Sequence, residues 1–252
     1  MSRQKTIIIL VEGKSEREAF TNIISSLFDD YYNGLFNVEF IEEREDVTSR
    51  RGVMPRNIEE WTFKNHILPF LSKTYLTTED IAYIIQLVDL DGVYISNECI
   101  KADVKAETVL YTEKNIKAKN KDEIIKRNER KRKNLDYLSS ISTFRLKTDP
   151  SKICETPYQI FYFSTNLDHF LYGEQNLEDK KKVPYAIDFS MKVAPNEFES
   201  LLIENGELAT FSMNGKAYVD SWTHIKSGEK SLQRLSNINL LIDEIQNSFF
   251  ID

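Results

Sequence analysis

Residues 6–20 read TIIILVEGKSEREAF, and residues 84–92 read IIQLVDLDG. Each stretch passes through a series of apolar residues and then reaches acidic ones, which is typical of a buried strand that carries acids at its carboxyl end. In an open parallel sheet, ligands bind in the crevice outside the carboxyl ends of the strands. If the two strands are neighbours, Glu12, Asp89 and Asp91 therefore meet at one place.

Carboxylates held this close repel one another unless protons or a cation compensate their charge. Oxygen ligands favour Mg²⁺ or Mn²⁺ over zinc, so the pattern predicts a site for one of these ions. Glu16 lies four residues after Glu12 and is a candidate ligand for a second ion, as in two-metal phosphodiester hydrolysis. On extended backbone, Asp89 and Asp91 point to the same side and Leu90 points into the core.

Hydrophobic periodicity along the chain predicts an α/β fold with a parallel central sheet flanked by helices. Residues 93–157 are interpreted as a basic, largely helical insertion. The chain then divides into a catalytic core, residues 1–165, and a mainly helical region, residues 166–252, packed on that core. The predicted elements are strands at 6–11, 36–41, 81–88 and 158–164, helices beginning at a Ser15 cap and at 57–71, 196–203 and 231–249, and a hairpin near 211–219.

The formal net charge of −7 conceals one strongly basic run. Residues 114–133 hold ten Lys or Arg against three Asp or Glu, a local excess of seven positive charges. Local charge decides whether a polyanion is attracted, so the run predicts contact with nucleic-acid phosphates, and a solvated helix face is the alternative interpretation. The residues expected to bind nucleic acid are Lys14, Lys126, Arg127, Arg130, Lys131, Arg132 and Lys133.

Composition excludes several other classes of protein. The two cysteines, Cys99 and Cys154, have no paired spacing, so neither a disulfide framework nor a zinc knuckle is expected. No apolar run approaches the roughly 20 residues that a membrane span needs, and no secretory signal is recognised. A cytoplasmic protein without membrane contact is the expectation.

The two acidic motifs resemble those of the Toprim domain of topoisomerases, primases and several nucleases. That domain has a glutamate after its first strand, here Glu12, and a DxD motif after a later strand, here Asp89 and Asp91. The sequence around Glu12 and Glu16 looks more like the overcoming-lysogenization-defect (OLD) nucleases and the small RloB-like and abortive-infection proteins. The resemblance covers residues 6–30 and 80–92 well.

The resemblance implies a Rossmann-like Toprim core and a Mg²⁺-dependent endonuclease that cleaves DNA or an RNA such as tRNA. It assigns Glu12, Glu16, Asp89 and Asp91 to the metal and to catalysis. It also implies an effector of defence against phage, because many small relatives act beside an ATPase in such defence. Since this sequence has no GxxxxGK[ST] motif, any ATPase involved is expected to be a separate chain. Self-association is left open. Asn166 and the following Asp168 and His169 only approximate the RloB-like pattern, which leaves the roles of the last two undetermined.

Two other functions stay open. Residues 87–96, LVDLDGVYIS, also look like the first motif of haloacid-dehalogenase-type phosphatases, with Asp89 as nucleophile and Asp91 as general acid and base. That interpretation leaves Glu12 and Glu16 unexplained. The third class is a non-catalytic adaptor on a Toprim scaffold.

Overall fold

The computed structural model describes residues 4–149, 152–203 and 217–247, and in these ranges it contains eight strands and nine α-helices. A π-helical turn, Phe63–Ile67, joins the second helix to the third. The strands are β1 Lys5–Val11, β2 Phe36–Glu42, β3 Ile81–Asp89, β4 Ile100–Ala102, β5 Leu110–Tyr111, β6 Ile116–Ala118, β7 Thr143–Asp149 and β8 Lys152–Phe163. The helices are α1 Lys14–Tyr32, α2 Ile58–Thr62, α3 Leu68–Thr74, α4 Lys121–Leu138, α5 Leu167–Tyr172, α6 Asp179–Lys192, α7 Pro195–Ile203, α8 Ala217–Ile225 and α9 Ile238–Asn247.

The main sheet has the strand order β2-β1-β3-β8-β7. The first four of these strands run parallel, and β7 pairs antiparallel to β8 at one edge. From β1 the chain passes through α1 to β2 on one side, and then returns through α2 and α3 to β3 on the other side. The gap between the ends of β1 and β3 is therefore the switch point of the sheet, where open α/β folds bind ligands.

Alternate side chains of β1 enter two hydrophobic cores, one on each face of the sheet. Ile7 and Ile9 pack with α1 and with the C-terminal helices α6, α7 and α9. Ile8 and Leu10 pack with α2, α3 and α8. Each fully buried isoleucine contributes about 1.5–3 kcal/mol, so the apolar run recognised in the sequence is explained by burial on both faces. The predicted α/β class with a mostly parallel, helix-flanked sheet is confirmed.

The segment 93–157 contains more strand than predicted. β4, β5 and β6 form a separate three-stranded sheet, α4 carries much of the basic run, and β7 with the start of β8 extends the main sheet. The edge strand was missed because its polar residues dominate the sequence, although Phe144 and Leu146 alternate inward with the period of a strand. The last central strand accordingly begins at Lys152 and not at residue 158.

Other local predictions have mixed outcomes. The helix at 196–203 is confirmed as α7, whereas Gly13 and not Ser15 caps α1, without a side-chain cap bond. The prediction of a helix at 231–249 is wrong for its first part, because a 3₁₀ turn at Lys230–Leu232 precedes α9, which begins at Ile238. Residues 248–249 lie outside the described ranges. Of the hairpin expected near 211–219, residues 211–216 lie outside the described ranges, and α8 begins at Ala217.

The C-terminal region packs on the core through aromatic side chains. Phe198 of α7 contacts Phe20 of α1, and α6 contributes Phe189 to the same cluster. The described ranges contain no helix that is long and apolar enough to cross a membrane. The division of the chain at residue 165 stays a prediction.

Replacing Gly92 by alanine tests the loop that follows β3. Gly92 has φ +64°, and an added Cβ would lie 2.3 Å from Cδ2 of the buried Leu232. We expect Gly92→Ala to lower the free energy of unfolding by about 2–5 kcal/mol, since left-handed backbone costs alanine about 1–2 kcal/mol and overpacking costs about 1–3 kcal/mol. Urea denaturation measures this loss.

The matched control is Gly228→Ala. Gly228 also has a positive φ, +59°, but an added Cβ there meets nothing within 4 Å. The control therefore carries the backbone strain alone, about 1–2 kcal/mol. Equal losses in the two variants would contradict the contribution of the Leu232 contact.

Candidate functional site

The ends of β1 and β3 bring the first pair of predicted acids together. Glu12 follows β1 directly, and its Oε1 accepts a hydrogen bond of 3.2 Å from the backbone N–H of Asp89. Burial raises the pKa of Glu12 well above its usual value, and the nearby Asp46, Asp89 and Asp91 raise it further while Lys131 lowers it. The predicted convergence of Glu12 and Asp89 is therefore present.

Asp89 links the sheet to α5. Its Oδ1 accepts a hydrogen bond of 2.9 Å from the backbone N–H of Leu167, the first residue of that helix. Burial raises the pKa of Asp89 well above its usual value, and the charges of Glu16 and Asp91 add to the effect. Asp168 also faces Asp89, so α5 brings a further carboxyl group to the site.

Asp91 does not continue the strand as expected. Its φ is +53°, in the left-handed region, and its backbone N–H donates to the carbonyl of Thr165 at 2.8 Å. Aspartate is among the few residues that adopt this conformation with little strain. The turn carries its carboxylate toward Tyr111, whose hydroxyl donates at 3.0 Å, and toward Lys131. The alternation argument for Asp89 and Asp91 is wrong, although both side chains reach the same site.

Lys131 is the centre of one half of the site. Its side chain is 0% exposed, and its Nζ lies 2.7 Å from Asp91 Oδ2, 2.8 Å from Asp46 Oδ2 and 3.6 Å from Glu12 Oε1. Burial opposes the charged ammonium, but the attraction of these three carboxylates raises the pKa of Lys131 well above its usual value. Burial likewise opposes ionisation of Asp46, and Lys131 outweighs it and lowers the pKa of Asp46 to about 2.

The second half of the site contains Glu16 and Asp168, which are only 6% and 4% exposed. Oδ1 of Asp168 is buried and has no hydrogen-bond partner within the described ranges. Burial raises the pKa of Asp168 to about 6, with Lys182 acting against this shift and Glu16 adding to it. Burial also raises the pKa of Glu16. Among the residues that the structure describes, this half has no buried cation comparable to Lys131.

His169 plays a local role beside Asp168. Its Nδ1 lies 3.1 Å from the hydroxyl of Thr165, and its backbone N–H donates to the side chain of Asn166, which caps α5. Burial and the charge of Arg234 lower the pKa of His169 to about 4. A neutral, packed imidazole explains this residue, so of the two undetermined residues only Asp168 joins the acids.

Negative charge dominates the whole cluster. Seven carboxyl groups interact in a chain of neighbours, and three cations act on them: Lys131, Arg127 and Lys182. If every carboxyl were ionised, four negative charges would stay uncompensated. The carboxyl groups, called here the acid cluster, are those of Glu12, Glu16, Glu43, Asp46, Asp89, Asp91 and Asp168.

The acid cluster suits a hard divalent cation by its donor atoms and its charge. Its ligands are all oxygens, and the unpartnered Oδ1 of Asp168 is a donor that nothing else in the described residues uses. In the side-chain positions seen, no three His, Cys, Asp or Glu residues of the described ranges are arranged to hold a metal ion. The donor set therefore fits Mg²⁺ or Mn²⁺ in chemistry, and binding would require carboxylates such as Glu16 to turn toward the ion.

The predicted nucleic-acid residues fall into two groups. Lys14, Lys126 and Lys133 are exposed, whereas Lys131 is enclosed by carboxylates and cannot contact a phosphate from the surface. Arg127 donates to the Tyr111 hydroxyl and to the carbonyl of Asp91. Arg130 and Arg132 are half-buried and also bind within the protein. Nε of Arg130 donates to the Ser49 carbonyl, and Nε of Arg132 donates to the Asn128 carbonyl. The prediction that Lys131 binds nucleic acid at the surface is thus wrong, because Lys131 lies on the buried face of α4.

Sequence reasoning missed Asp46 and Glu43, which lie in the charged loop after β2. A signal for Asp46 existed, because Asp46 followed by Thr48 is the pattern of an Asx turn, and Asp46 accepts from the backbone N–H of Thr48 at 2.9 Å. No signal of this kind marks Tyr111. Comparison with known proteins found no matching family, no matching curated protein and no matching solved structure.

Replacing Lys131 by methionine tests the internal ion cluster. Removing one partner of a buried ion pair leaves uncompensated charge, so we expect Lys131→Met to reduce the free energy of unfolding by about 3–5 kcal/mol at pH 7. Combining it with Asp46→Asn should restore part of the loss. Chemical denaturation measures both values.

Lys133→Met is the control, since Lys133 lies on the same helix with an exposed side chain. A surface substitution of this kind changes stability by about 0.5 kcal/mol or less. If Lys131→Met were as mild as Lys133→Met, the ammonium of Lys131 would not hold the acids together.

Proposed function

We propose that the protein is a Mg²⁺- or Mn²⁺-dependent nuclease that hydrolyses phosphodiester bonds of nucleic acid. The observation that carries the proposal is the excess of buried carboxylates at the switch point between β1 and β3, together with the unpartnered oxygen of Asp168. A divalent cation would offset that excess, and the negatively charged phosphodiester would then bind to the cation. The Rossmann-like sheet is compatible with the Toprim fold, which is part of the proposal.

Four carboxylates, those of Glu12, Glu16, Asp89 and Asp168, are the groups that would hold the cation. When bound, such a cation supplies Lewis-acid activation of water and of the phosphodiester. Asp91 has a different task from the one its motif implies, because Lys131 and Tyr111 already engage its carboxylate. Lys131 holds the side chains of Asp91 and Asp46 in position through ion pairs of 2.7 and 2.8 Å, which makes it a positioning residue.

Exposed lysines near the site are proposed to hold the substrate. Lys126 and Lys133 present positive charge on α4, and Lys14 does so at the start of α1, next to the acid cluster. Contacts of this type attach to phosphates and carry no sequence information. Nucleic acid, either DNA or an RNA such as tRNA, is accordingly the proposed partner.

The biological setting is a further part of the proposal. The ExxxE and DxD motifs that resemble OLD and RloB-like proteins support a role in defence against phage. The same resemblance supports an ATPase partner, and residues 1–252 contain no GxxxxGK[ST] motif of their own.

Cleavage and metal binding test the site directly. We expect Mg²⁺-dependent cleavage of plasmid DNA or total tRNA that chelator abolishes, and loss of about two orders of magnitude or more in Asp89→Asn and Glu16→Gln, because each removes a charge from the cation's ligands. Calorimetric titration with Mn²⁺ should show weaker binding in both variants. Glu18→Gln is the matched control, because Glu18 lies on α1 outside the acid cluster.

Three results would redirect the assignment. Wild-type cleavage by Asp89→Asn and Glu16→Gln would overturn the site. Hydrolysis of small phosphate esters with trapping by fluoroberyllate at Asp89, unaffected by Glu12→Gln, would favour the phosphatase. Partner binding that survives replacement of all the acids, without any cleavage, would identify an adaptor.

Salt dependence tests the proposed substrate surface. Replacing Lys126 and Lys133 together by glutamine should weaken nucleic-acid binding equally for all sequences, and should reduce the slope of log K against log salt by about one for each lysine that neutralises a phosphate. Filter binding at several salt concentrations gives both quantities. Exposed Lys101, on β4, provides the control for each single substitution, Lys126→Gln or Lys133→Gln, because each removes one charge. An equal effect of Lys101→Gln would show that α4 makes no special contribution to binding.

A further inference from the structure

A second concave region lies beside the carboxyl end of β2, separate from the acid cluster. It is a cavity of about 370 Å³ between the end of β2, the start of α1 and the helical segment from the π-helical turn into α3. Its walls combine cationic side chains with half-buried aromatic ones. The lining residues used below are Arg17, Phe40, Arg44, His66, Phe70 and Lys73.

Positive charge dominates this cavity. Arg17, Arg44 and Lys73 line it, and Glu42 is the only acid among the lining residues. Glu42 forms an ion pair of 2.9 Å with Arg17. In the described ranges no acidic side chain pairs with Arg44 or Lys73, which leaves two cations for an anionic ligand. A concave basic surface of this kind focuses anions.

Two backbone irregularities converge on the same cavity. Arg44 has φ +59°, an unusual left-handed conformation for arginine. His66 lies in the π-helical turn, a feature often found at functional sites, and its buried Nε2 has no hydrogen-bond partner in the described part of the chain. Burial and the charges of Arg50 and Arg44 lower the pKa of His66, and this residue lines the cavity.

Chain neighbours tie the cavity to the acid cluster. Arg17 follows Glu16 on α1, and Arg44 follows Glu43 after β2, so at two places a cavity residue adjoins a residue of the acid cluster. Consecutive Cα atoms are about 3.8 Å apart. Glu43 turns inward, where its Oε1 accepts from Gln86 at 3.1 Å, while Glu42 and Arg44 line the cavity. The two regions are therefore adjacent along the chain at the start of α1 and after β2.

We propose that this cavity binds the phosphate of a nucleotide, through Arg44, Lys73 and His66, with Phe40 and Phe70 offering apolar walls to the base. Its volume lies in the range of small-ligand sites. The phosphate could come from a free mononucleotide or from a nucleic-acid strand whose neighbouring phosphodiester reaches the acid cluster. Only the second source rests on the proposed function.

Titrations in EDTA test the cavity without involving cleavage. Inorganic phosphate, adenosine 5′-monophosphate, adenosine and a dinucleotide are added to the full chain, and the histidine ring resonances and the heat of binding are followed. We expect adenosine 5′-monophosphate to bind and to shift the His66 signals, and adenosine to bind at least tenfold more weakly. Arg44→Gln and Lys73→Gln should each weaken binding about tenfold, because each removes a positively charged hydrogen-bond donor to the phosphate.

Lys64→Gln is the control, because Lys64 lies in the same turn, pairs with Glu60 and does not line the cavity. Competition by the dinucleotide supports a strand as the source of the phosphate, and its failure to compete supports a free nucleotide. Equal binding of adenosine and its monophosphate, or binding unchanged in Arg44→Gln and Lys73→Gln, would overturn the proposal. Absence of nuclease activity would leave these titrations unaffected, so the two proposals fail separately.

Discussion

A single buried ammonium group holds the acid cluster in place. Lys131 reaches from α4 to Asp91 after β3, to Asp46 after β2 and to Glu12 after β1. Removing this charge from water is costly, and three carboxylates offset the cost only because they approach from different parts of the chain. The helix and the three loops at the carboxyl edge of the sheet are therefore fixed relative to one another by one charge.

This arrangement divides the acid cluster into unequal halves. Around Lys131, opposite charges are paired, and the pKa of Asp46 falls to about 2. Around Asp168, the described residues provide no buried cation to pair with the carboxyl groups. Burial therefore dominates, and the pKa of Asp168 rises to about 6. Since the cost of burying like charges is concentrated in the second half, that half gains most from an external cation. The protein thus supplies a buried counter-charge, Lys131, to the first half, and the second half would be stabilised by a bound cation.

The contacts of each residue explain which parts of the fold and of the acid cluster could be predicted from the sequence. β1 and β3 were predictable because both their faces are buried, and Glu12 and Asp89 met because parallel neighbours end at one edge. Lys131 resembles Lys133 in the sequence, but it lies in the stripe that α4 buries, with Leu135 four residues later and apolar positions at both ends. Reading that periodicity would have placed Lys131 inward. The Asx turn at Asp46 is a local pattern, but the approach of Asp46 to Lys131 depends on the path of an irregular loop, which the Asx turn does not determine.

The C-terminal region completes the site as well as covering the sheet. Leu232 closes over Gly92, and its carbonyl accepts from the hydroxyl of Thr165, the residue whose own carbonyl holds the backbone of Asp91. The left-handed turn at Asp91 and Gly92 is thus stabilised by contacts with a segment more than 130 residues later in the chain. Because Asp91 reaches Lys131 from that turn, the ion cluster depends on contacts between distant parts of the chain. The position of the acids is a property of the complete fold, although the motifs that supply them are local.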